Sequence, residues 1–325
     1  MSARTEPEFP LIVECAGADD VTDWIQEHSD YEDRLLRHGA VLFRGYGVTS
    51  AESFRDVARA FAPDLLDYVY RSTPRTALGG GIYTASEYPN TADIPQHNEN
   101  SYQREWPLLL VFGCLRAAAR GGETPLARTR RVTARIEPRV MDAFATRGIM
   151  YIRNYGSVLD LPWQTAFQTD DRRAVEDYCA REGIDVEWTG PDSLRTRQVC
   201  HAIAVHPRTG ERLWFNQARL FHVSSLDERT RDSMLSVLRH EDLPRHACYG
   251  DGAPIPETVL DHIRDAYAGE TMTFGWKTGD VLVVDNMLVS HGRTSFAGPR
   301  NVAVAMARPC RTGVPPAIGV NAARV

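Results

Sequence analysis

The chain reads as an α+β protein built on a double-stranded β-helix, or jelly roll, with helices packed outside it and a long helical and hairpin insertion. Three observations lead there. Short strand-like runs set between Gly-rich turns follow residue 80 and return after residue 271, with helical spacing between them. The tripeptide His97-Asn98-Glu99 stands in the first set and His291 in the second. A jelly roll is the architecture that puts such an early pair beside a late histidine at the mouth of its barrel.

The elements can be argued in chain order. Residues 21–38 have the spacing of an amphipathic helix anchored by Trp24, Ile25, Leu35 and Leu36 and stopped by Gly39. Ala40–Val48 is an apolar run ending in Gly45 and Gly47, a buried strand leading to a turn, and Thr49 or Ser50 then caps a helix that runs to about Phe61. Gly79, Gly80 and Gly81 mark a loop, either near the site entrance or, equally, a simple surface linker. Trp106–Leu115 is a strongly apolar strand, and Arg120-Gly121-Gly122-Glu123-Thr124 turns into the next.

The stretch 132–240 reads as an insertion between the two halves of the core, within a single domain spanning 1–325. Helices are expected over Val132–Arg147, Arg172–Arg181 and Leu226–Arg239, with Ser193–Val205 pairing with Arg212–Gln217 across Pro207-Arg208-Thr209-Gly210. A further helix over Glu257–Ala268 follows. Strands are expected at Thr271–Trp276, Val281–Val284, from His291 onward, and at Arg300–Met306, where Val302, Val304 and Met306 alternate.

In an extended strand, side chains two apart project to one side, so His97 and Glu99 can bind one ion while Asn98 faces away. With His291 they form a two-histidine, one-carboxylate set that covers one face of an octahedral iron and leaves three positions for a chelating cosubstrate and dioxygen. Two histidines and a glutamate can equally hold zinc with an open position, so a zinc hydrolase is the competing reading. Against it, the chain carries no helical HExxH. A non-catalytic jelly-roll binding module is the third reading, disfavoured by the intact ligand set.

Composition narrows the partners. The formal net charge is −6, and arginine is spread along the chain without a basic cluster, so no nucleic-acid partner is expected. The six cysteines form no CxxC pair and are read as reduced thiols. No run approaches the roughly 20 apolar residues of a membrane span, and the opening MSARTEPEFP lacks a secretory pattern, so a cytoplasmic location is expected. His201, His206, His222 and His246 are read as polar or packing residues, and Asp280 and Asp285 as turn residues.

The stretches PQHNENSYQREWPLLLVFGC, RGGETPLA, WFNQARLFH, CYGDGAPIPETVLDHIRDAY and WKTGDVLVVDNMLVSHGRTSFAGPRNVAVAM, in this order and spacing, resemble the TauD/TfdA superfamily of Fe(II)/2-oxoglutarate-dependent dioxygenases. Within it they most resemble the SyrP-like branch related to clavaminate synthase, over residues 36–308 or so. The resemblance implies that His97, Glu99 and His291 hold Fe(II), that Arg300 binds the distal carboxylate of the cosubstrate 2-oxoglutarate, and that Thr124 assists it. A dicarboxylate that chelates through its oxo-acid end needs a planar, permanently charged partner at the other.

Many relatives carry a second arginine four positions after the cosubstrate arginine; here that position is Val304. Asn216 and Arg293 are the candidate substrate-binding residues, the first from the insertion and the second two residues past His291 on the same strand side; the competing reading of both is that they bind backbone carbonyls. The implied chemistry couples dioxygen-dependent decarboxylation of 2-oxoglutarate to oxidation of an unactivated carbon. Halogenating relatives replace the carboxylate ligand with a small residue; Glu99 fills that place, which favours hydroxylation. Desaturation, epoxidation and cyclisation use the same ligands and stay open. The SyrP-like resemblance implies an amino-acid-like substrate, free or tethered to a carrier protein, in the making of a peptide natural product.

Overall fold

A computed structural model of the chain describes residues 8–15, 20–68, 70, 72–73, 75–85, 87–156 and 161–311. Its centre is a jelly roll made from a seven-stranded and a four-stranded sheet. The large sheet runs, edge to edge, Leu11–Glu14, Ala40–Val48, Gly279–Asp285, Trp106–Arg116, Asn301–Cys310, Ile82–Thr84 and Ala77–Gly79. The small sheet runs Met272–Phe274, Thr124–Arg128, Val289–Arg293 and Ile94–His97.

The long apolar strands of the large sheet follow from burial on both faces. Ala40, Leu42, Leu282, Val284, Val302 and Val304 point into the space between the sheets, where Leu126 and Val289 of the small sheet meet them. The alternating neighbours Val41, Phe43, Val281 and Val283 point the other way, onto Phe54, Val57 and Phe61 of the helix Ala51–Phe61. A strand covered on both faces shows no polar alternation. The helix starts where expected, with Ser50 and Ser53 exchanging hydrogen bonds in a capping box. It lies so close that a Cβ on Gly113 would meet the Phe54 ring at 2.4 Å.

Several expectations need correction. The helical stretch 21–38 is two helices, Val21–Glu27 and Tyr31–His38, because the backbone leaves the helical region at His28 (φ −112°, ψ 75°) and the second helix starts from Asp30 as its cap residue. The stretch 132–147 is likewise split at Pro138, which begins its own helix Pro138–Arg147 after Thr129–Arg135. Of the expected hairpin only Ile203–Val205 pairs with Arg212–Trp214. Leu194–Cys200 instead joins a third sheet, in the order Asp185–Trp188, Leu194–Cys200, Ile149–Tyr155, Arg245–Tyr249. That sheet and the helix Glu257–Ala268 lie between two paired neighbours of the small sheet, Thr124–Arg128 and Met272–Phe274, so the excursion reaches past residue 240. Gly79, Gly80 and Gly81 form the hairpin turn between two edge strands, packed on Arg55 and Leu65 and not on the histidine pair. Among the described residues no helix is long and apolar enough to cross a membrane.

Candidate metal centre

His97 and His291 meet because their strands pair antiparallel with the two residues in register, 194 positions apart in the chain but directly opposite in the sheet. Their rings sit 4.6 Å apart between centroids. The pairing slips by one residue at Gly292, where a Cβ would lie 2.5 Å from the Ile94 carbonyl oxygen. Only glycine fits between the two ligand-bearing strands there. His291 thus sits mid-strand, where the sequence reading had it opening the strand.

The strand that carries His97 ends on it. Glu99 lies in the turn that follows, where Asn100 takes a left-handed φ of 55°. The same-side geometry survives because the backbone of Glu99 is held from a distance. Asn286 accepts its N–H at 2.7 Å through Oδ1 and donates through Nδ2 to its carbonyl at 2.9 Å and to that of Pro107 at 2.8 Å. Asn98 does face away, donating to the Asn286 and Val289 carbonyls at 2.6 and 3.2 Å in the core.

Among the described residues, His97, Glu99 and His291 are the one group of histidine, cysteine and acidic side chains whose donor atoms converge, all within 4.8 Å of one another. Burial holds the His291 imidazole well below its ordinary pKa, with His97 and Arg75 adding to the effect. Burial also lowers that of His97, against the opposing pull of Glu99. Both rings are therefore neutral near pH 7, the form that donates a lone pair. His97 Nδ1 lies 3.0 Å from the Pro95 carbonyl, so the proton sits there and Nε2 is the free donor. Neutral imidazoles and a carboxylate fit a divalent iron.

A cleft of about 490 Å³ of empty space, its open mouth included, runs from the histidine pair past Phe112, Thr124 and Trp276 to Arg293 and Arg300. Arg300, just ahead of its strand, is half-buried and has no hydrogen bond or ion pair with any described residue; its guanidinium rests on the Phe296 ring at 5.4 Å. Burial and the neighbouring Arg293 lower its pKa to about 10, which leaves it a cation at neutral pH. Gly122 of the RGGET turn packs against it, where a Cβ would stand 3.0 Å from Arg300 Cδ. Thr124 is buried in the same cleft and accepts a hydrogen bond from Trp276 Nε1 at 2.9 Å, so its own hydroxyl proton remains to be donated.

The two candidate substrate residues do other work. Asn216 does not line the cleft: it donates to the Ala202 carbonyl at 2.9 Å and accepts the Ala218 N–H at 3.0 Å, tying a turn together. Arg293 lines the cleft, but its guanidinium donates to the carbonyls of Tyr88, Pro89 and Ala92 at 3.0, 2.7 and 2.7 Å. It clamps the loop on the cleft wall.

Four residues of the site escaped sequence reasoning. Arg75 donates from Nη2 to Glu99 Oε2 at 2.6 Å with both side chains buried. Asn286 fixes the Glu99 backbone, Trp276 orients Thr124, and Arg219, stacked on Tyr267 at 4.0 Å, donates to the Gln96 carbonyl beside His97. Nothing in the neighbourhood of Arg75 marks it, whereas Asn286 sits in an Asp-Asn turn between two apolar runs, where a polar side chain must have a buried purpose.

The other polar residues behave as expected. Asp280 pairs with Arg44 at 2.9 Å and Asp285 with His206 at 3.0 Å. His201 packs in a tilted contact on Trp106 at 4.9 Å, and His246 lies 5.4 Å from His222 and 5.3 Å from His240, the three forming no converging donor set among the described residues.

The sequence model of the family described as taurine catabolism dioxygenase TauD, TfdA matches residues 12–306. The chain is 41% identical to the dapdiamide synthesis protein DdaC of Enterobacter agglomerans over 92% of its own length and 91% of that protein. It is 32% identical to a clavaminate synthase-like protein of Arabidopsis thaliana, covering 88% of this chain and 87% of that one. In fold it is similar to the Pseudomonas aeruginosa protein PvcB, with TM-score 0.54, 16% identity and coverage of 93% and 87%. It is also similar to AAD-2 crystallised with Mn(II) and N-oxalylglycine, with TM-score 0.56, 10% identity and coverage of 95% and 98%. The chain belongs to the TauD, TfdA family and is an iron(II)- and 2-oxoglutarate-dependent dioxygenase, which sets aside the zinc-hydrolase reading.

Proposed function

We propose that the enzyme hydroxylates an unactivated carbon of an amino acid or an amino-acid-derived molecule, free or tethered to a carrier protein, in the making of a natural product. The observation that carries the reading is that His97 and His291, whose donor atoms converge with that of Glu99, line the same cleft as Arg300, a cation without a protein anion among the described residues. In this reading the three donors hold iron(II), and Arg300 and Thr124 hold the distal carboxylate of 2-oxoglutarate. Bound iron with 2-oxoglutarate and dioxygen supplies an oxidant able to break an unactivated C–H bond.

The chain's own share is positioning. Arg300 fixes the dicarboxylate by charge, and the Thr124 hydroxyl donates a second hydrogen bond because Trp276 already fills its acceptor side. Phe112, Ile94 and Val302 line the same cleft and make that part of its wall apolar, which disfavours water there. Glu99 occupies the ligand place that a halogenating relative leaves open, which supports hydroxylation. The 41% identity to a dapdiamide synthesis protein supports an amino-acid-derived substrate. The test is succinate release by the iron-loaded enzyme across a panel of amino acids offered free and as carrier thioesters, with product masses. A gain of one oxygen atom in one class supports the proposal. Succinate uncoupled from every member, or loss of two hydrogens alone, refutes it.

A further inference from the structure

A glutamate beside a metal can bind through one oxygen or both, and the second mode takes up a position that a chelating cosubstrate needs. Glu99 is held against that choice. Its backbone N–H and carbonyl are both bonded to Asn286, which fixes the main chain from which the carboxylate projects. Its carboxylate is 4% exposed and its Oε2 takes a charged hydrogen bond of 2.6 Å from Arg75, itself 4% exposed at the side chain. Arg75 is in turn seated over the face of Tyr68, with its guanidinium carbon 4.6 Å from the ring centroid. It lines the same cleft as the two histidines and arrives from a segment of chain that supplies none of the metal donors.

We propose that Arg75 is a positioning residue that occupies one oxygen of Glu99, so that the metal receives a single carboxylate oxygen and the position beside it stays open for 2-oxoglutarate. The inference rests on the iron and 2-oxoglutarate reading above. The bonded Oε2 is also the oxygen that lies 3.9 Å from His97 Nε2, so the guanidinium occupies the carboxylate oxygen facing that histidine and leaves Oε1 as the single oxygen for the metal. It also neutralises a buried carboxylate before any ion arrives. Removing Arg75 therefore does not weaken the metal site. It frees Glu99 to chelate, and the loss appears in cosubstrate binding.

The test compares wild type with Arg75→Met and Arg75→Lys in two measurements without oxygen. Mn(II) binding is followed by electron paramagnetic resonance, and 2-oxoglutarate binding to the Fe(II) protein by its visible charge-transfer band. Expected for Arg75→Met is Mn(II) affinity equal to or tighter than wild type, with a 2-oxoglutarate midpoint raised about tenfold or more and a weakened band. Arg75→Lys, which keeps one charged donor, is expected to recover the midpoint to within roughly threefold of wild type.

An unchanged midpoint and band in Arg75→Met overturns the proposal. So does loss of Mn(II) binding by an Arg75→Met protein whose circular dichroism matches wild type, because Arg75 would then serve to hold the ion. Should Arg75→Met fail to fold, Arg75→Lys decides: a wild-type-like midpoint supports the proposal and a tenfold rise overturns it. Absence of the band in wild type overturns the cosubstrate reading itself, and this inference with it.

Discussion

Replacing Arg300 with methionine should separate cosubstrate binding from stability, because the residue is a half-buried cation that no carboxylate among the described residues neutralises. Methionine keeps the contact with Phe296 and removes the charge. Truncating one partner of a buried, hydrogen-bonded charge pair costs about 2–5 kcal/mol. A value near 3 kcal/mol is apt, since the cleft opens to water, and corresponds to about 150-fold in 2-oxoglutarate affinity. Arg300→Lys keeps the charge without the planar fork and should lose about tenfold. The ligand-free variant should unfold no more easily than wild type, because the change relieves an unpaired charge that Arg293 already repels. With 2-oxoglutarate at about 100 times its wild-type Kd, linkage gives roughly 2.7 kcal/mol of added stability to wild type and about 0.3 kcal/mol to the variant. Anaerobic titration of the charge-transfer band and urea unfolding with and without 2-oxoglutarate measure both, with Mn(II) binding as the check on the metal site. A Kd within threefold of wild type, or a ligand-induced stabilisation that persists, would refute the assignment of Arg300.

Glu99→Ala should destabilise the metal-free protein by a few kcal/mol, on the order of breaking a buried ion pair, since it removes the carboxylate bonded to the buried Arg75, whereas Glu99→Gln keeps an acceptor and should lose less; equal urea midpoints for wild type and alanine would contradict the ion pair. Asn286→Ala leaves the Glu99 N–H without its partner, so it should cost about 1–3 kcal/mol and weaken Mn(II) binding about tenfold, and unaltered Mn(II) affinity would remove Asn286 from the site. His201 is buried with Nε2 unpaired, and burial lowers its pKa to about 4. The unfolded chain then binds the proton first as pH falls from about 6.5 to 4, so His201 lends stability that is complete above pH 6.5 and is lost below it. By pH 5 the loss is about 2 kcal/mol. His201→Phe, which preserves the contact with Trp106, should abolish that part of the acid sensitivity while leaving stability at pH 8 within roughly 1 kcal/mol. Parallel pH–stability curves for the two proteins would disprove it.

What could be read in the sequence was what local chemistry imposes. The doubly covered strands around Leu42 and Leu282 announce themselves by unbroken apolar runs, and His97 and Glu99 by their spacing. The spacing argument reached the right geometry through a wrong premise: the strand stops at His97, and long-range bonds from Asn286 deliver what strand periodicity was asked to supply. Helix continuity over 21–38 failed at His28, whose backbone leaves the helical region although its ring still packs on Trp24. Leu194–Cys200 shows a clean two-residue alternation that fits a strand, but alternation says nothing about the partner, and the third sheet claims it.

The arginines show why site chemistry was harder to read than fold. Arg75, Arg293 and Arg300 all line one cleft, and any of them could bind an anion if direction alone decided. Spacing favoured Arg293, two residues from His291, as a substrate contact, and it does face the cleft. Its two terminal nitrogens, however, are engaged by carbonyls more than 200 positions earlier, and one terminal nitrogen of Arg75 by Glu99. Binding capacity depends on the donors left over after folding, a quantity set by contacts far apart in the chain. Arg293 still contributes through its charge. Two guanidiniums share the Phe296 ring, at 5.1 and 5.4 Å, and among the described residues neither has an ion-pair partner, although Asp93 attracts Arg293 from nearby. A dicarboxylate entering that end of the cleft gains attraction to both and relieves their repulsion, so Arg293→Gln should weaken 2-oxoglutarate binding although its nitrogens touch only backbone. The loss should be severalfold and shrink as salt is raised, while a loss indifferent to ionic strength would assign Arg293 to holding the loop alone.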